Sequence, residues 1–551
     1  MARSTEHPLL SANPTPFARS AALERLGREQ FDLLVIGGGV TGAGVALEAA
    51  SRGLKTAIVE ANDWAHGTSS KSSKLVHGGL RYLQQKEYRL VYENLYERQR
   101  LLENAPHLVK PLPFLIPLFG KGGTVNKTVA KAYRTALWLY DITGGVRIGK
   151  RHKRLSHDEA LAHMPTLKTD LLAAAFLYWD AQADDARLTL TIVRTAVLDH
   201  GAVAANYAKV DSLLHDANGK VAGARLADGT EIKAKAVVNA TGVWVDEVRT
   251  LDEGQHPDSL RPAKGVHLTV PRSKLPCDIA AVVPVPHDRR SIFVVPWGEF
   301  TYIGTTDTDY HGSIDDPQVS PEDVAYVLGA INTWVTEKLR PEDVTGSWAG
   351  LRPLVKASDN VRTADLSRRH SVRVSDQDLV TITGGKLTTY RKMGEDTVEA
   401  CAEILGRKLP KSHTRSLRLR GADGYGDLES TDPHLVSRFG SEARTVRALI
   451  EAAPSLGDPL LPGLPYLKAE AVFAARYEMA HTLEDILARR TRSILLGRDA
   501  AAEGAEAVAQ LVAADLGWDA DEIARQAARV REIAEHERTS AGLPRTASIA
   551  G

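Results

Sequence analysis

The stretch Phe31–Glu60, FDLLVIGGGVTGAGVALEAASRGLKTAIVE, constrains the fold more than any other. It reads as an apolar strand, a glycine turn, a helix of small residues and a second strand ending in an acid. Gly37, Gly39 and Gly42 supply G-x-G-x-x-G. Gly37 permits the tight turn, Gly39 lets a pyrophosphate approach the backbone, and Gly42 lets helix and strand pack closely. Free N–H groups at the helix start, with the helix dipole, favour phosphate. Glu60 ends the second strand, where a carboxylate accepts hydrogen bonds from a ribose. The features fall in register. They point to a Rossmann-like dinucleotide site rather than a glycine-rich turn in an ordinary α/β domain.

The length, 551 residues, allows roughly three or four domains. Hydrophobic residues are 43% and charged residues 25%, the composition of a soluble globular protein. Lys plus Arg equals Asp plus Glu at 69 each. That balance argues against general nucleic-acid binding, which needs a basic footprint. Cys277 and Cys401, far apart, make neither a disulfide framework nor a zinc site, and a reducing compartment fits best. There is no transmembrane-length apolar run, and the first twenty residues lack the apolar core of a secretion signal. Residues 1–30 read as a poorly ordered arm, with a short amphipathic helix over Ala21–Gln30 feeding the first strand.

A polar loop, Ala61–Leu80, follows the first unit, and Tyr88–Asn104 reads as a charged helix. KPLPFLIPLF, Lys110–Phe119, is apolar, but its three prolines exclude a regular helix. From Ala204 the texture is β, with hairpin signals at Asn218-Gly219 and Asp228-Gly229 and a strand running into Ala240-Thr241-Gly242. A second β region spans His267–Asp309, with a hairpin at Gly298-Glu299. Helices dominate from Glu399, with starts at Asp432-Pro433 and at Asp519 with Glu522. This tail reads as a separate helical domain.

Three constellations carry chemistry. GTSSKSSKLVHGGLRYL, Gly67–Leu83, sets hydroxyls and cations just after the strand ending in Glu60, over the ligand crevice of a doubly wound fold. AVVNATGVW, Ala236–Trp244, ends a strand in a small-residue turn, which a plain β-turn explains equally well. GLRPLV, Gly350–Val355, and TITGGKLTTYRK, Thr381–Lys392, add a strand–turn–helix at Gly384, Gly385 and Lys386. Its helix start suits an anionic reduced ring. Arg81, Arg352, Arg368 and Lys386 are candidates for one anion site or four separate surface charges. His267, at a strand start, is a structural histidine or a base. The run Lys121–Arg154 holds nine cations against Asp141 and follows LPFLIPLF. It reads as a bilayer-docking segment or a solvated face.

VIGGGVTGAG, GTSSKSSKLVHGGLRYL, PHLVKPLPFLIPL, YWDAQADDARL, NATGVW, IGTTDTDY, GLRPL and GGKLTTYRK occur in the order found in the FAD-dependent respiratory glycerol-3-phosphate dehydrogenase family, which the chain resembles from about Phe31 to Lys392. EDILARRTRS, Glu484–Ser493, resembles that family's C-terminal cap. The resemblance implies an α/β fold in which a glutathione-reductase-like FAD domain (31–102, 185–257 and 348–410) carries an inserted β-rich substrate domain (103–184 and 258–347) and a helical cap from 411. It implies FAD rather than NAD. Cofactor contacts would come from Gly37, Gly39, Gly42, Glu60, Thr68, Ser69, Ser70, Ser73, Lys74, His77, Gly79, Val210, Ala240, Thr241, Gly242, Gly385, Lys386, Leu387 and Thr388.

The same resemblance implies oxidation of sn-glycerol 3-phosphate to dihydroxyacetone phosphate, with hydride passing from C2 to flavin N5. His267 and Arg352 would be catalytic, and Arg81, Tyr82, Arg368 and Lys386 would bind substrate. Arg368 has Arg369 beside it in a divergent segment. A membrane quinone would reoxidise the flavin, making the chain a peripheral protein on the cytoplasmic face of the inner membrane. An oxidase passing electrons to oxygen, a related flavin enzyme for amino or hydroxy acids, and a non-catalytic flavoprotein are the alternatives. The residues give no oligomeric state, and a homodimer stays open.

Overall fold

A computed structural model describes residues 17–80, 87–120, 127–143, 145–286, 288, 290–356, 369–429 and 432–546. The strands are β1 Gln30–Ile36, β2 Thr56–Val59, β3 Leu75–Val76, β4 Val109–Phe119, β5 Lys153–Leu155, β6 Leu172–Ala183, β7 Val203–Ala205, β8 Val210–His215 and β9 Val221–Leu226. They continue as β10 Glu231–Asn239, β11 Leu260–Pro271, β12 Ala280–Pro284, β13 Ser291–Trp297, β14 Phe300–Gly304, β15 Thr308–Asp309, β16 Gly346–Val355, β17 Ser371–Val374 and β18 Leu379–Thr383. Helices that matter below are α1 Arg19–Arg28, α2 Val40–Ser51, α3 Tyr88–Asn104, α4 Lys127–Ile142, α5 His157–His163, α6 Asp185–Leu198, α7 Val245–Glu253, α8 Pro321–Asn332 and α9 Tyr390–Ile404. The tail contributes α10 Pro433–Phe439, α11 Ala443–Ala452, α12 Lys468–Tyr477, α13 Arg498–Leu516 and α14 Ala520–Ser540.

Two sheets organise the chain. The first runs β17-β18-β10-β1-β2-β7, with β8 and β9 folding back beside β10. β18, β10, β1, β2 and β7 are parallel, so their carboxyl ends share one edge. Leu33 and Val35 face a core with α2, α6 and α9, while Leu34 and Ile36 face α1 and the β8–β9 ribbon. Apolar residues at both parities are what a sheet covered on both faces needs. α2 and α9 approach closely: a Cβ on Gly44 would lie 2.9 Å from the Tyr390 carbonyl, and one on Gly394 2.6 Å from that of Gly44. Part of the stretch expected as an arm is folded, since α1 buries Leu26 against the sheet.

The second sheet runs β15-β11-β14-β13-β12-β4-β6-β3, with β16 on β11 and β5 on β6. Its faces pack on α5 and α8, and on α3 and α4. Two of its members lie in segments that the sequence reading gave to the cofactor domain. β16 pairs with β11 from Leu260↔Val355 to Thr269↔Gly346, and β3 pairs with β6. The proline-rich stretch is β4. Pro111, Pro113 and Pro117 share one strand parity, so their missing donors fall on one side, and the β6 ladder runs without a shift from Val109 to Leu118. α10 to α14 form the helical tail, with Asp432 and Asp519 capping α10 and α14 through the Leu435 and Glu522 N–H groups.

Candidate active site: a dinucleotide edge facing a histidine–arginine face

The carboxyl edge of the first sheet gathers loops distant in sequence. β1 ends at Gly37, β2 at Glu60, β10 at Ala240–Gly242 and β18 at Gly384–Gly385. Gly37 is left-handed, φ 111°, and a Cβ there would meet the Ala240 carbonyl at 2.7 Å. At Gly42 a Cβ would fall 1.9 Å from the Gly37 carbonyl oxygen, so the turn exists only without a side chain. Gly39 caps α2, and Ser69 Oγ accepts the Val40 N–H at 2.9 Å. The Gly67–Lys74 loop therefore reaches the helix N-terminus where phosphate is favoured. Both Glu60 oxygens are oriented by backbone, Oε2 by the Gly38 N–H at 2.6 Å and Oε1 by the Asn62 N–H at 2.9 Å. Burial pushes the Glu60 carboxyl above its usual range. Each oxygen keeps a lone pair for a ribose hydroxyl.

Around this edge, Thr68 Oγ1 donates to the Leu351 carbonyl at 2.6 Å, and Ser70 is buried. Thr241 Oγ1 donates to Asn239 Oδ1 at 2.7 Å, and Gly242 is left-handed. Leu387 begins the helical turn Leu387–Thr389 that leads into α9. Thr388 Oγ1 takes the His77 N–H at 3.2 Å, tying that helix start to the His77–Gly79 turn. The Lys386 ammonium nitrogen is buried. Val210 lies farther along, at the start of β8, just past Ala208, whose N–H donates to the Glu60 carbonyl. Arg81, Tyr82 and Arg368 lie outside the described residues. A narrow cleft opens between Thr68, Lys71, Trp244 and Asp315.

Opposite the loop stands one face of the second sheet. His267 pairs with Trp348, Gly265 with Gly350 and Ala263 with Arg352, so all six residues share that face. His267 is central in β11 rather than at a strand start, because β11 already begins at Leu260. The two glycines leave room: a Cβ on Gly350 would strike the Lys71 carbonyl at 2.4 Å, and one on Gly265 the Arg352 guanidinium at 2.8 Å. His267 is buried and stacks on Trp348 with centroids 4.7 Å apart. Its Nε2 is 2.9 Å from Ser73 Oγ. Nδ1 is buried without a hydrogen-bond partner among the described residues. Burial first, then the Lys74 and Arg352 charges, hold His267 well below the ordinary histidine pKa, so the ring is neutral. Arg352 donates to Thr305 Oγ1 at 3.2 Å, the Thr306 carbonyl at 3.3 Å and Asp307 at 3.3 Å.

Lys74 is buried with its ammonium 4.8 Å over Trp348 and 3.0 Å from Asp185. Burial pulls its pKa down to about 8. Trp348, Asp307 and Asp185 were not singled out from the sequence. The strand parity that places Trp348 beside His267 is readable only once β11 and β16 are paired.

A doubly wound sheet with a glycine-built phosphate turn, facing a second sheet that carries a buried neutral histidine and an arginine, defines a dinucleotide-dependent oxidoreductase. The family described as FAD dependent oxidoreductase matches residues 32–390, and the C-terminal domain of alpha-glycerophosphate oxidase matches 407–523. Glycerol-3-phosphate dehydrogenase 2 of Mycobacterium tuberculosis is 42% identical, over 96% of this chain and 92% of its own. The human mitochondrial glycerol-3-phosphate dehydrogenase is 38% identical, over 92% and 74%. A crystal structure of the Bacillus halodurans glycerol-3-phosphate dehydrogenase with FAD superposes with a TM-score of 0.75 at 33% identity, covering 94% of this chain and 97% of that one. The chain belongs to the FAD-dependent glycerol-3-phosphate dehydrogenase family, and its cofactor is FAD. The glycine turn, the Glu60 carboxylate and the Ser69-capped helix start fit that cofactor.

Proposed function

We propose that the protein oxidises sn-glycerol 3-phosphate to dihydroxyacetone phosphate. The observation that carries this is the neutral, buried His267 beside the Arg352 cation on a face covered by the Gly67–Lys74 loop. The substrate is a dianion with a secondary alcohol, and it asks for a cation and a proton acceptor. Bound FAD supplies the two-electron acceptor. In the tautomer whose Nε2–H donates to Ser73, the Nδ1 lone pair is left to take the C2 hydroxyl proton. Arg352, fixed by Thr305 and Asp307, and Lys386 hold the anionic end, together with Arg81, Tyr82 and Arg368 by family resemblance.

The test is the visible spectrum of anaerobic holoenzyme before and after sn-glycerol 3-phosphate. Bleaching of the flavin band is expected, and an unchanged band overturns the substrate. Rapid recolouring by a soluble quinone analogue with slow recolouring in air is expected; rapid recolouring in air assigns oxygen instead.

Arg352→Ala and Lys386→Ala should each retain FAD while kcat/KM for glycerol 3-phosphate falls roughly 10- to 100-fold, the loss of one charge-assisted hydrogen bond. Near-parental kinetics in both would remove the anion site. The depressed pKa of His267 fixes a sign. Its active, neutral form persists as pH falls through 6.5, so the acid limb of kcat/KM, corrected for substrate phosphate ionisation, should lie below that value. A limb near 7 would exclude this histidine as the base.

Electron delivery to a quinone calls for peripheral association with the cytoplasmic face of a membrane. No helix among the described residues is long and apolar enough to cross one. α4 offers a docking face: Lys131, Arg134, Trp138 and Ile142 are exposed along one stripe, the last two 58% and 57% exposed. Trp138→Ala combined with Ile142→Ala should reduce cosedimentation with anionic vesicles several-fold while leaving turnover with a soluble acceptor intact.

A further inference from the structure

The C-terminal helical tail reaches the cofactor edge through Asp485–Ser493, beside Met479, whose carbonyl accepts from Asn206 at 2.9 Å. Arg489 Nε and both Arg490 terminal nitrogens grip Asp63 at 2.6 to 2.8 Å, three residues past Glu60. Arg492 is buried in left-handed conformation, φ 64°. It donates to the Ser70 carbonyl at 3.1 Å, to Asp184 at 3.0 Å and to Asp185. Asp185, fully buried at the start of α6, is the hub on the other side. It accepts Lys74 Nζ at 3.0 Å, Ser72 N–H at 2.9 Å and Ser72 Oγ at 2.7 Å. Lys74, itself left-handed at φ 55°, also donates to the Ser70 carbonyl at 3.0 Å. Two cations and one carboxylate thus fix the backbone of Ser70–Lys74 from beneath.

We propose that Arg492 is a positioning residue for the cofactor: through Asp185 and Ser70 it sets the Ser69–Ser73 loop, so that FAD affinity is governed by docking of the helical tail. This rests on assigning the Gly67–Lys74 loop to FAD. The physical reason is that an unanchored polar loop must be ordered when it binds, and that ordering is subtracted from affinity. A loop already fixed by buried charge-assisted bonds needs no such ordering. By linkage, bound FAD must favour tail docking by the same factor.

The test starts from holoenzyme stripped of FAD and retitrated by flavin fluorescence quenching. Arg492→Met should raise the FAD Kd about tenfold or more, and Arg492→Lys, which keeps the charge and loses the fork, by less. In an Arg492→Met/Asp185→Asn double variant the rise should fall short of the product of the single effects, since both act on one loop. FAD should also protect the parent, and not Arg492→Met, against protease cleavage of the tail. A merely structural role would lower the melting midpoint of the apoprotein without changing the FAD Kd or the FAD-dependent protection, and that result overturns the proposal. If Arg492→Met fails to fold, Arg492→Lys decides: a Kd equal to the parent's overturns it. Ser69→Ala separates the two layers. A raised Kd there with unchanged Arg492 variants sinks the clamp alone. An unchanged Kd there as well removes the loop assignment and the proposal with it.

Discussion

Gly42→Ala is expected to yield protein that purifies without its yellow colour. The added Cβ would lie 1.9 Å from the Gly37 carbonyl oxygen and 3.3 Å from Val35 Cγ1. Neither neighbour is the free end of a flexible side chain. Gly37 sits in a turn already held against Ala240, and Val35 is central in the sheet. Relief requires α2 to lift from β1, which moves the Ser69-capped helix start away from the phosphates. Overpacking of about 3 kcal/mol, if all expressed in cofactor binding, weakens FAD roughly a hundredfold. The measurement is the ratio of flavin to protein absorbance after gel filtration, which should fall near zero. Gly329→Ala is the control: on the exposed face of α8 a Cβ meets nothing within 4 Å, and helix propensity gains about 0.5–1 kcal/mol. Full flavin in Gly42→Ala would show that the close helix–strand approach is dispensable.

Arg490→Ala is expected to be the most destabilising single truncation in the tail. Both terminal nitrogens of Arg490 bind Asp63, at 2.6 and 2.8 Å, and one also holds the Glu478 carbonyl at 2.9 Å. Both ends are buried. Removing the cation leaves Asp63 with Arg489 and Asn206 but short of charge, and breaking a buried pair typically destabilises by about 3–5 kcal/mol. The neighbouring Glu478 loses the Arg490 donor to its carbonyl and the Arg490 cation 4.0 Å from its carboxylate, while Arg187 keeps its bonds to Glu478 and to the residue-490 carbonyl. Urea unfolding followed by tryptophan fluorescence should report an earlier first transition, with the tail released before the sheets. Arg490→Lys should lie between, since a single ammonium cannot replace the fork. An unchanged profile would mean that tail and cofactor edge are joined mainly by apolar packing.

These two sites mark what could and could not be read from residues alone. The Phe31–Glu60 unit is legible because its logic is local. Glycine spacing, apolar runs and a terminal acid all act within one supersecondary element, and the observed β1, α2 and β2 fall where that logic puts them. Asn218-Gly219, Asp228-Gly229 and Asp432-Pro433 succeed for the same reason. Lys110–Phe119 shows the limit. Its prolines exclude a helix, yet only its partner β6 makes it a strand. The Arg490–Asp63 and Arg492–Asp185 contacts join residues hundreds of positions apart, and no periodicity encodes them. His267 shows a different gap. Its residue type suggested chemistry, while its neutrality comes from burial and the Lys74 and Arg352 charges, and Nδ1 has no hydrogen-bond partner among the described residues.

The strand order has a consequence for how the chain is made. β10 pairs on one side with β1 and on the other with β18, at Val237↔Leu379 to Asn239↔Thr381. β11 likewise waits for β16 from Leu260 to Thr269. During synthesis, both sheets stand for a long interval with β10 and β11 as open edge strands, and an open edge is a template for foreign strands. Neither sheet closes vectorially from the N-terminus. Closure must await the same late stretch, Gly346 to Thr383, which finishes both together. Nascent chains halted before Gly346 should therefore remain chaperone-bound, and folding of the two halves should be one event rather than two.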